Sequence, residues 1–160
     1  MVEAYNFLAS WQLFPEKGTY ESGERPKSGI YKIESGAEKK QLKITHTWVT
    51  LENHAFEAQY SVLADGELNE FENHELADAV QVNFPDGINF EIHFYKKGEA
   101  ILHVVHEILP NGYLRITQQG VTDDGQAYTN SEIYHKQLSV LPYSASVSGA
   151  LIRHNEEGII

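Results

Sequence analysis

The sequence contains 160 residues with no cysteine, and its 23 acidic and 12 basic residues give a formal net charge of −11. Without cysteine the chain can form neither disulfides nor thiolate metal sites, and cysteine nucleophile chemistry is excluded. The acidic excess argues against nucleic acids and anionic membrane surfaces as partners, because like charges repel. No apolar run approaches the ~20 residues that would span a bilayer. The first residues lack a basic and an apolar leader region, which predicts a cytoplasmic protein unless a signal was removed.

Strand-like segments occupy the first half of the chain. Each combines apolar or aromatic residues with a turn signal at its end, such as Pro15 after the first segment and Asp65-Gly66 after the fourth. The predicted strands here are 7–14, 29–34, 42–51 and 56–63. Residues 16–28 form a loop by their glycine and proline content. The acidic segment 67–78 alternates poorly and is left open as a short strand, an edge or one helical turn.

The stretch 80–136 predicts an antiparallel meander. Apolar and polar residues alternate between glycine turns, and Asn-Gly and Asp-Gly supply the positive φ angles that tight hairpins need. These turns are centred on Gly87, Gly98, Gly112 and Gly125. Strands recurring at this spacing predict an all-β protein, an up-and-down β-barrel of about eight to ten strands rather than a sandwich. We expect one barrel domain over 1–137, with an apolar tail, 138–160, packing on the barrel or on a neighbouring chain.

Hairpin register predicts which side chains face the interior. If Lys97-Gly98, Asn111-Gly112 and Asp124-Gly125 are two-residue turns, one face of the meander is apolar, and a one-residue slip would invert it. The apolar interior predicted in this way is Ile88, Phe90, Ile92, Phe94, Ile101, Val105, Leu109, Leu114, Ile116 and Ile133. The same face carries the polar residues His103, Glu107, Gln118, Thr129, Ser131 and His135. Arg115 and Glu132 fall on the outer face, where we expect them to form a surface ion pair. The orientation of His46 and Trp48 stays open.

Four segments together resemble the lipocalin-like (calycin) barrel proteins of bacteria, most of which have no assigned activity. The segments are 7–11 (FLASW), 15–17 (PEK), 26–29 (PKSG) and 130–136 (NSEIYHK), and the resemblance covers about residues 7–137. It implies that Trp11 lies across the closed end of the barrel. Ala9 stands where lipocalins carry a glycine, and neither their late arginine nor the arginine–tyrosine clamp of fatty-acid-binding proteins is recognisable.

Two explanations compete for the polar residues on the inner face: a ligand-holding cavity, or a filled core in which they bond one another. The first predicts binding of a small apolar or amphipathic ligand. The residues predicted to contact it are Phe90, Ile92, His103, Glu107, Gln118, Ser131 and His135. The alternatives are an enzyme of isomerase or lyase type in the same cavity, and a filled-barrel interaction protein. The protein is expected to be a monomer or a homodimer.

Neither a metal nor a cofactor is predicted. His103 and His106 are three apart, so on a strand they face opposite sides and cannot share an ion. No two-histidine-one-carboxylate spacing is evident. No nucleophile elbow, phosphate loop or dinucleotide fingerprint appears. His103 and Glu107 share a face but lie ~13 Å apart along one strand, too far to act as a catalytic pair.

Overall fold

The computed structural model describes residues 4–137, and the predicted tail at 138–160 lies outside this range. The described part consists almost entirely of strands, with two short 3₁₀ turns, Tyr5–Phe7 and Pro15–Lys17. The strands are β1 (Ala9–Leu13), β2 (Thr19–Tyr20), β3 (Ser28–Ser35), β4 (Gln41–Val49), β5 (Ala55–Leu63), β6 (Leu68–Glu70), β7 (Ala79–Asp86), β8 (Asn89–Lys96), β9 (Glu99–Ile108), β10 (Leu114–Val121) and β11 (Ala127–Lys136). Within residues 4–137, no helix is long and apolar enough to cross a membrane.

The strands form one antiparallel sheet in the order β5-β4-β3-β1-β11-β10-β9-β8-β7-β6, and β2 pairs with β11. β1 lies between β3 and β11, so the start of the chain is joined to the end of the meander. The sheet therefore curls into a nearly closed barrel whose two edges are β5 and β6. The predicted all-β barrel is confirmed, and the loosely assigned acidic segment contributes the short strand β6.

One half of the barrel is packed solid around aromatic side chains. Phe7 lies edge-on to Phe90, with ring centroids 4.8 Å apart, and Phe84 stacks on Phe90 at 4.9 Å. Trp11 is 1% exposed, and its indole nitrogen donates a hydrogen bond to the Phe7 carbonyl at 2.9 Å. The predicted burial of Trp11 is confirmed. Lys136 places its ammonium 5.4 Å from the centre of the indole ring, a cation–π contact from the last strand.

The predicted face of β9 is wrong, although the turn before it was predicted correctly. Lys96 pairs with Glu99 across a two-residue turn in which Lys97 and Gly98 have φ angles of 52° and 80°. An irregularity beyond this pair makes Phe94 oppose Leu102. A bulge of this kind adds one residue to a strand and shifts its side chains to the other face. The inward residues of β9 are Leu102, Val104 and His106, and the predicted interior residue Ile101, at the irregularity, also packs against the core.

The two later turns contain three residues rather than two. Gly112 and Gly125 have φ angles of 88° and 87°, and each N–H bonds the carbonyl three residues earlier, as in a turn closed by a glycine bulge. The first extra residue cancels the shift on β9, so Leu114 and Ile116 face inward as predicted. The second extra residue inverts β11. The residues of β11 that point inward are Tyr128, Asn130, Glu132 and Tyr134, so the inward placement of Ser131, Ile133 and His135 is wrong.

Candidate functional site

The open half of the barrel contains a cavity of about 900 Å³. One part of its wall is apolar and includes Trp48, Phe71, Phe94, Leu102, Val104 and Ile116. The rest of the lining carries polar groups and includes Tyr20, Tyr31, His46, Tyr60, Gln118, Tyr128, Asn130 and Glu132. The barrel is thus packed at one end and hollow at the other. A filled core and a cavity were the two alternatives for the interior, and the barrel has a filled core at one end and a cavity at the other.

Glu132 is the central polar group of this wall. Its two carboxylate oxygens accept hydrogen bonds from different tyrosines: Tyr134 Oη donates to Oε1 and Tyr20 Oη donates to Oε2, each at 2.7 Å. Burial and the neighbouring Glu132 raise the pKa of both hydroxyls, which keeps them protonated as donors. Tyr20 comes from β2, which pairs with β11 beside Asn130. Tyr20 on β2 and Tyr134 on β11 therefore hold the Glu132 carboxylate from two sides.

His46 and Tyr31 continue the polar wall beside Glu132. His46 Nε2 lies 3.4 Å from the Tyr134 hydroxyl, and its ring is 4.7 Å from that of Trp48. Both His46 and Trp48 face inward, in step with the fully buried Ile44 on the same strand. Burial lowers the pKa of His46, which favours its neutral form at neutral pH.

Tyr31 connects the cavity to the packed half. Its hydroxyl lies 2.9 Å from His106 Nε2, and the imidazole of His106 stacks on Phe90 at 3.9 Å. Burial raises the pKa of Tyr31 and lowers that of His106 to about 3, so both groups are neutral at pH 7. Burial also raises the pKa of Tyr60 to about 12. Several neutral hydroxyl groups thus face the cavity near the carboxylate of Glu132.

The charge lining the cavity is mainly negative. Its wall contains four carboxylate side chains and a single guanidinium, that of Arg25. The carboxylates belong to Glu24, Glu52, Asp123 and Glu132. Among residues 4–137, no lysine, arginine or histidine forms a salt bridge with Glu132. Glu132 therefore faces the cavity without a salt-bridge partner among these residues, and its carboxylate is held by tyrosine hydroxyl groups.

The structure separates the seven residues predicted to contact a ligand. Gln118 lies in the cavity wall, and its role as a ligand contact stays a prediction. Phe90 and Ile92 are fully buried in the packed half and do not reach the cavity. The other four, His103, Glu107, Ser131 and His135, are on the outer face because of the register shifts in β9 and β11. The predicted inward placement of these four is wrong.

The outward residues have surface partners instead. Glu107 forms a salt bridge with Arg115, whose Nη2 lies 3.0 Å from Oε1. His135 packs on Phe14, with ring centroids 4.6 Å apart. The expected surface pairing of Arg115 with Glu132 is therefore wrong, because Glu132 faces inward.

Sequence reasoning missed Glu132, Tyr20 and Tyr134, which form the centre of the polar wall. One signal was present on β11. The inward residues include the large aromatic Tyr128 and Tyr134, whereas the alternate positions carry Thr129 and Ser131. Bulky aromatic residues recurring on one face of a strand indicate a packed or enclosed side. No such signal exists for Tyr20, which reaches Glu132 from a two-residue strand within a predicted loop.

No protein-family model and no curated protein matches this sequence. Solved structures are similar in outline. A siderocalin, Ex-FABP, described as functioning through dual ligand specificities, shares 12% identity over 94% of this chain and 87% of its own, with a TM-score of 0.41. A redesigned β-barrel shares 13% identity over 86% and 96% of the two chains, with a TM-score of 0.46. A second siderocalin, described as having a dual ligand binding mode, gives 13% identity, coverage of 91% and 79%, and a TM-score of 0.42. The barrel itself is established by the strand pairing of this chain.

Proposed function

We propose that this protein binds a small amphipathic molecule in the open half of its barrel, with the polar end of the molecule at Glu132. The observation that carries the proposal is a carboxylate held by two tyrosines in the wall of a cavity of about 900 Å³. Ligand sites in proteins are typically ~300–1,000 Å³, largely apolar, and contain a few convergent polar groups. This cavity has that size and that composition.

The chemistry of the wall favours a ligand whose polar end donates hydrogen bonds, and a protonated amine best of all. A carboxylate accepts hydrogen bonds and attracts positive charge, and charge-assisted hydrogen bonds are about twice as strong as neutral ones. The aromatic rings of Tyr20, Tyr31 and Trp48 add faces that attract a cation. A fatty acid would be disfavoured, because its carboxylate would lie next to the carboxylate of Glu132 and the two negative charges would repel each other. Phe94, Val104 and Ile116 would contact the apolar part.

A matched series of three twelve-carbon compounds tests this proposal. Dodecylamine, dodecanol and dodecanoate share one apolar chain and differ only in their polar end. We expect each to displace a neutral solvatochromic dye from one site per chain, in the affinity order amine, alcohol, carboxylate. The alcohol can also donate a hydrogen bond to the carboxylate, and the amine adds a positive charge that makes this bond about twice as strong, so the amine should bind about tenfold more tightly than the alcohol.

The variant Glu132→Gln removes the charge with little change in shape, and Glu107→Gln is the matched control on the outer face. We expect the preference for the amine to disappear in Glu132→Gln and to persist in Glu107→Gln. An unchanged preference in Glu132→Gln would contradict the proposed polar contact. No saturable binding of any of the three compounds or of the dye would contradict ligand binding itself. Mass spectrometry of the recovered compounds would reveal turnover and distinguish the enzyme alternative.

A further inference from the structure

The outer face of β8 and β9 carries a cluster of two histidines and a glutamate that does not contribute to the cavity. Glu91 and His93 are two residues apart on β8, so their side chains point to the same side of the sheet. His103 on β9 is the direct cross-strand partner of His93. The irregularity after Phe94 causes this arrangement, because the regular register would place His103 opposite Ile92 instead. Three side chains with metal-binding atoms thus meet on one surface.

The distances between their ligand atoms suit one metal ion. His103 Nε2 lies 3.0 Å and His93 Nε2 lies 3.9 Å from Glu91 Oε1. One ligand atom from each of the three residues lies within 4.8 Å of the other two. Zinc binds nitrogen and oxygen at ~2.0–2.2 Å, which places neighbouring ligands of a tetrahedral site about 3.4 Å apart. The observed separations bracket this value. Because the rings of His93 and His103 are nearly parallel, their in-plane lone pairs would converge on one ion only after the side chains rotate out of the stacked arrangement.

The hydrogen bonding of His103 also suits a metal ligand. Its Nδ1 lies 3.2 Å from Gln119 Oε1, so the tautomer with hydrogen on Nδ1 can donate to the amide oxygen. In that tautomer Nε2 has its lone pair available for a metal ion, and it lies 3.0 Å from a carboxylate oxygen of Glu91. Metal-binding histidines commonly donate their other N–H to a carbonyl in this way.

The two histidine rings also lie in contact with each other, and both remain accessible from solvent. The two rings stack at 4.1 Å with an interplanar angle of 14°, which orients them together on the surface. The partial exposure of all three residues gives an ion access from solvent and leaves room for water ligands.

We propose that Glu91, His93 and His103 form a binding site for a divalent transition-metal ion, with Gln119 orienting His103. Two imidazoles and one carboxylate suit Zn²⁺, Ni²⁺ or Cu²⁺ better than Mg²⁺ or Ca²⁺, which prefer oxygen ligands. The ion would join β8 to β9 on the outside of the barrel, independently of any ligand in the cavity. Water would complete its coordination.

The test is calorimetric titration of Zn²⁺ into the full chain, purified without a histidine tag and dialysed against a chelator. We expect about one Zn²⁺ per chain, with Mg²⁺ and Ca²⁺ at least tenfold weaker. His93→Gln and His103→Gln should each weaken zinc binding at least tenfold. Gln119→Ala should weaken it about ten- to a hundredfold, the usual effect of losing a group that orients a ligand. His54→Gln in an exposed turn and His154→Gln in the tail should leave the affinity unchanged.

Thermal unfolding with and without Zn²⁺ provides a second measurement. Zinc should raise the midpoint of the wild type and not that of His103→Gln, because binding to the folded state alone stabilises it. If a histidine variant does not fold, Glu91→Gln tests the same site. The proposal is overturned if zinc does not bind saturably, or if His93→Gln and His103→Gln bind zinc as tightly as the wild type. Loss of zinc binding in His154→Gln would also overturn it. Equally tight Mg²⁺ binding would overturn the assigned metal class.

Discussion

Replacing His106 by glutamine should remove a specific part of the acid sensitivity of this protein. His106 is fully buried between Tyr31 and Phe90, and burial lowers its pKa to about 3, whereas an unfolded chain titrates near the ordinary value of 6.5. As the pH falls below 6.5, His106 therefore binds a proton in the unfolded state but not in the folded state. By linkage, the stability due to the neutral ring is complete above 6.5 and is lost progressively toward pH 3.

The size of this effect follows from the difference between the two pKa values. One pKa unit corresponds to ~1.36 kcal/mol, so the wild type should lose about 2.5 kcal/mol between pH 7.5 and 4.5 through His106 alone. Glutamine does not titrate and can still accept a hydrogen bond from Tyr31, although it loses the stacking on Phe90. The variant should therefore be less stable at pH 7.5, and its disadvantage should shrink as the pH falls.

Urea unfolding of both proteins at several pH values between 7.5 and 4.5 measures this difference. Carboxylates that titrate in the same range contribute equally to both proteins and cancel in the comparison. His54→Gln, in an exposed turn, is the control and should parallel the wild type. A gap between wild type and His106→Gln that stays constant within ~0.5 kcal/mol over the whole range would refute the buried neutral state of His106.

Three further substitutions test other parts of the structure. Trp11→Ala should cost ~3–5 kcal/mol of stability in chemical unfolding, because it empties the packed end, and a loss below ~1 kcal/mol would contradict its burial there. Tyr20→Phe should weaken dodecylamine binding more than it lowers the midpoint of thermal unfolding, because Tyr20 orients the cavity carboxylate from a short strand; the reverse ranking would show a purely structural role. Gln118→Leu should likewise change ligand affinity more than stability, and a loss of ~1–3 kcal/mol without any change in affinity would mean that Gln118 bonds a partner in the core.

The fold was predictable from local sequence because hairpins are marked by turn sequences between segments of alternating apolar and polar residues. Alternation along β8 and the Lys97-Gly98 turn identify that hairpin and its first residue pair correctly. The register beyond the turn was not predictable. Asn111-Gly112 can close a two-residue or a three-residue loop, because both kinds of loop carry glycine as their last residue. Because strand faces alternate with a period of two, each such difference inverts a whole strand.

The candidate sites depend on this register, and for that reason they were largely missed. Glu132 was placed outside by a single residue of slip, while Glu107 was placed inside by the same mechanism. The cluster of Glu91, His93 and His103 exists only because the irregularity after Phe94 aligns the two histidines. Searching for metal ligands along one strand excluded His103 with His106, which is correct. Such a search does not detect ligands that meet across two strands.

A crystal structure of the protein with dodecylamine is the most direct test of the proposed binding function. We expect one molecule in the open half, with its nitrogen ~2.7–2.9 Å from a carboxylate oxygen of Glu132 and its chain against Phe94 and Ile116. Its position should not change when the outer carboxylate of Glu107 is replaced by glutamine. Side chains of the protein filling the cavity, or the amine bound only on the outer surface, would contradict the proposed function.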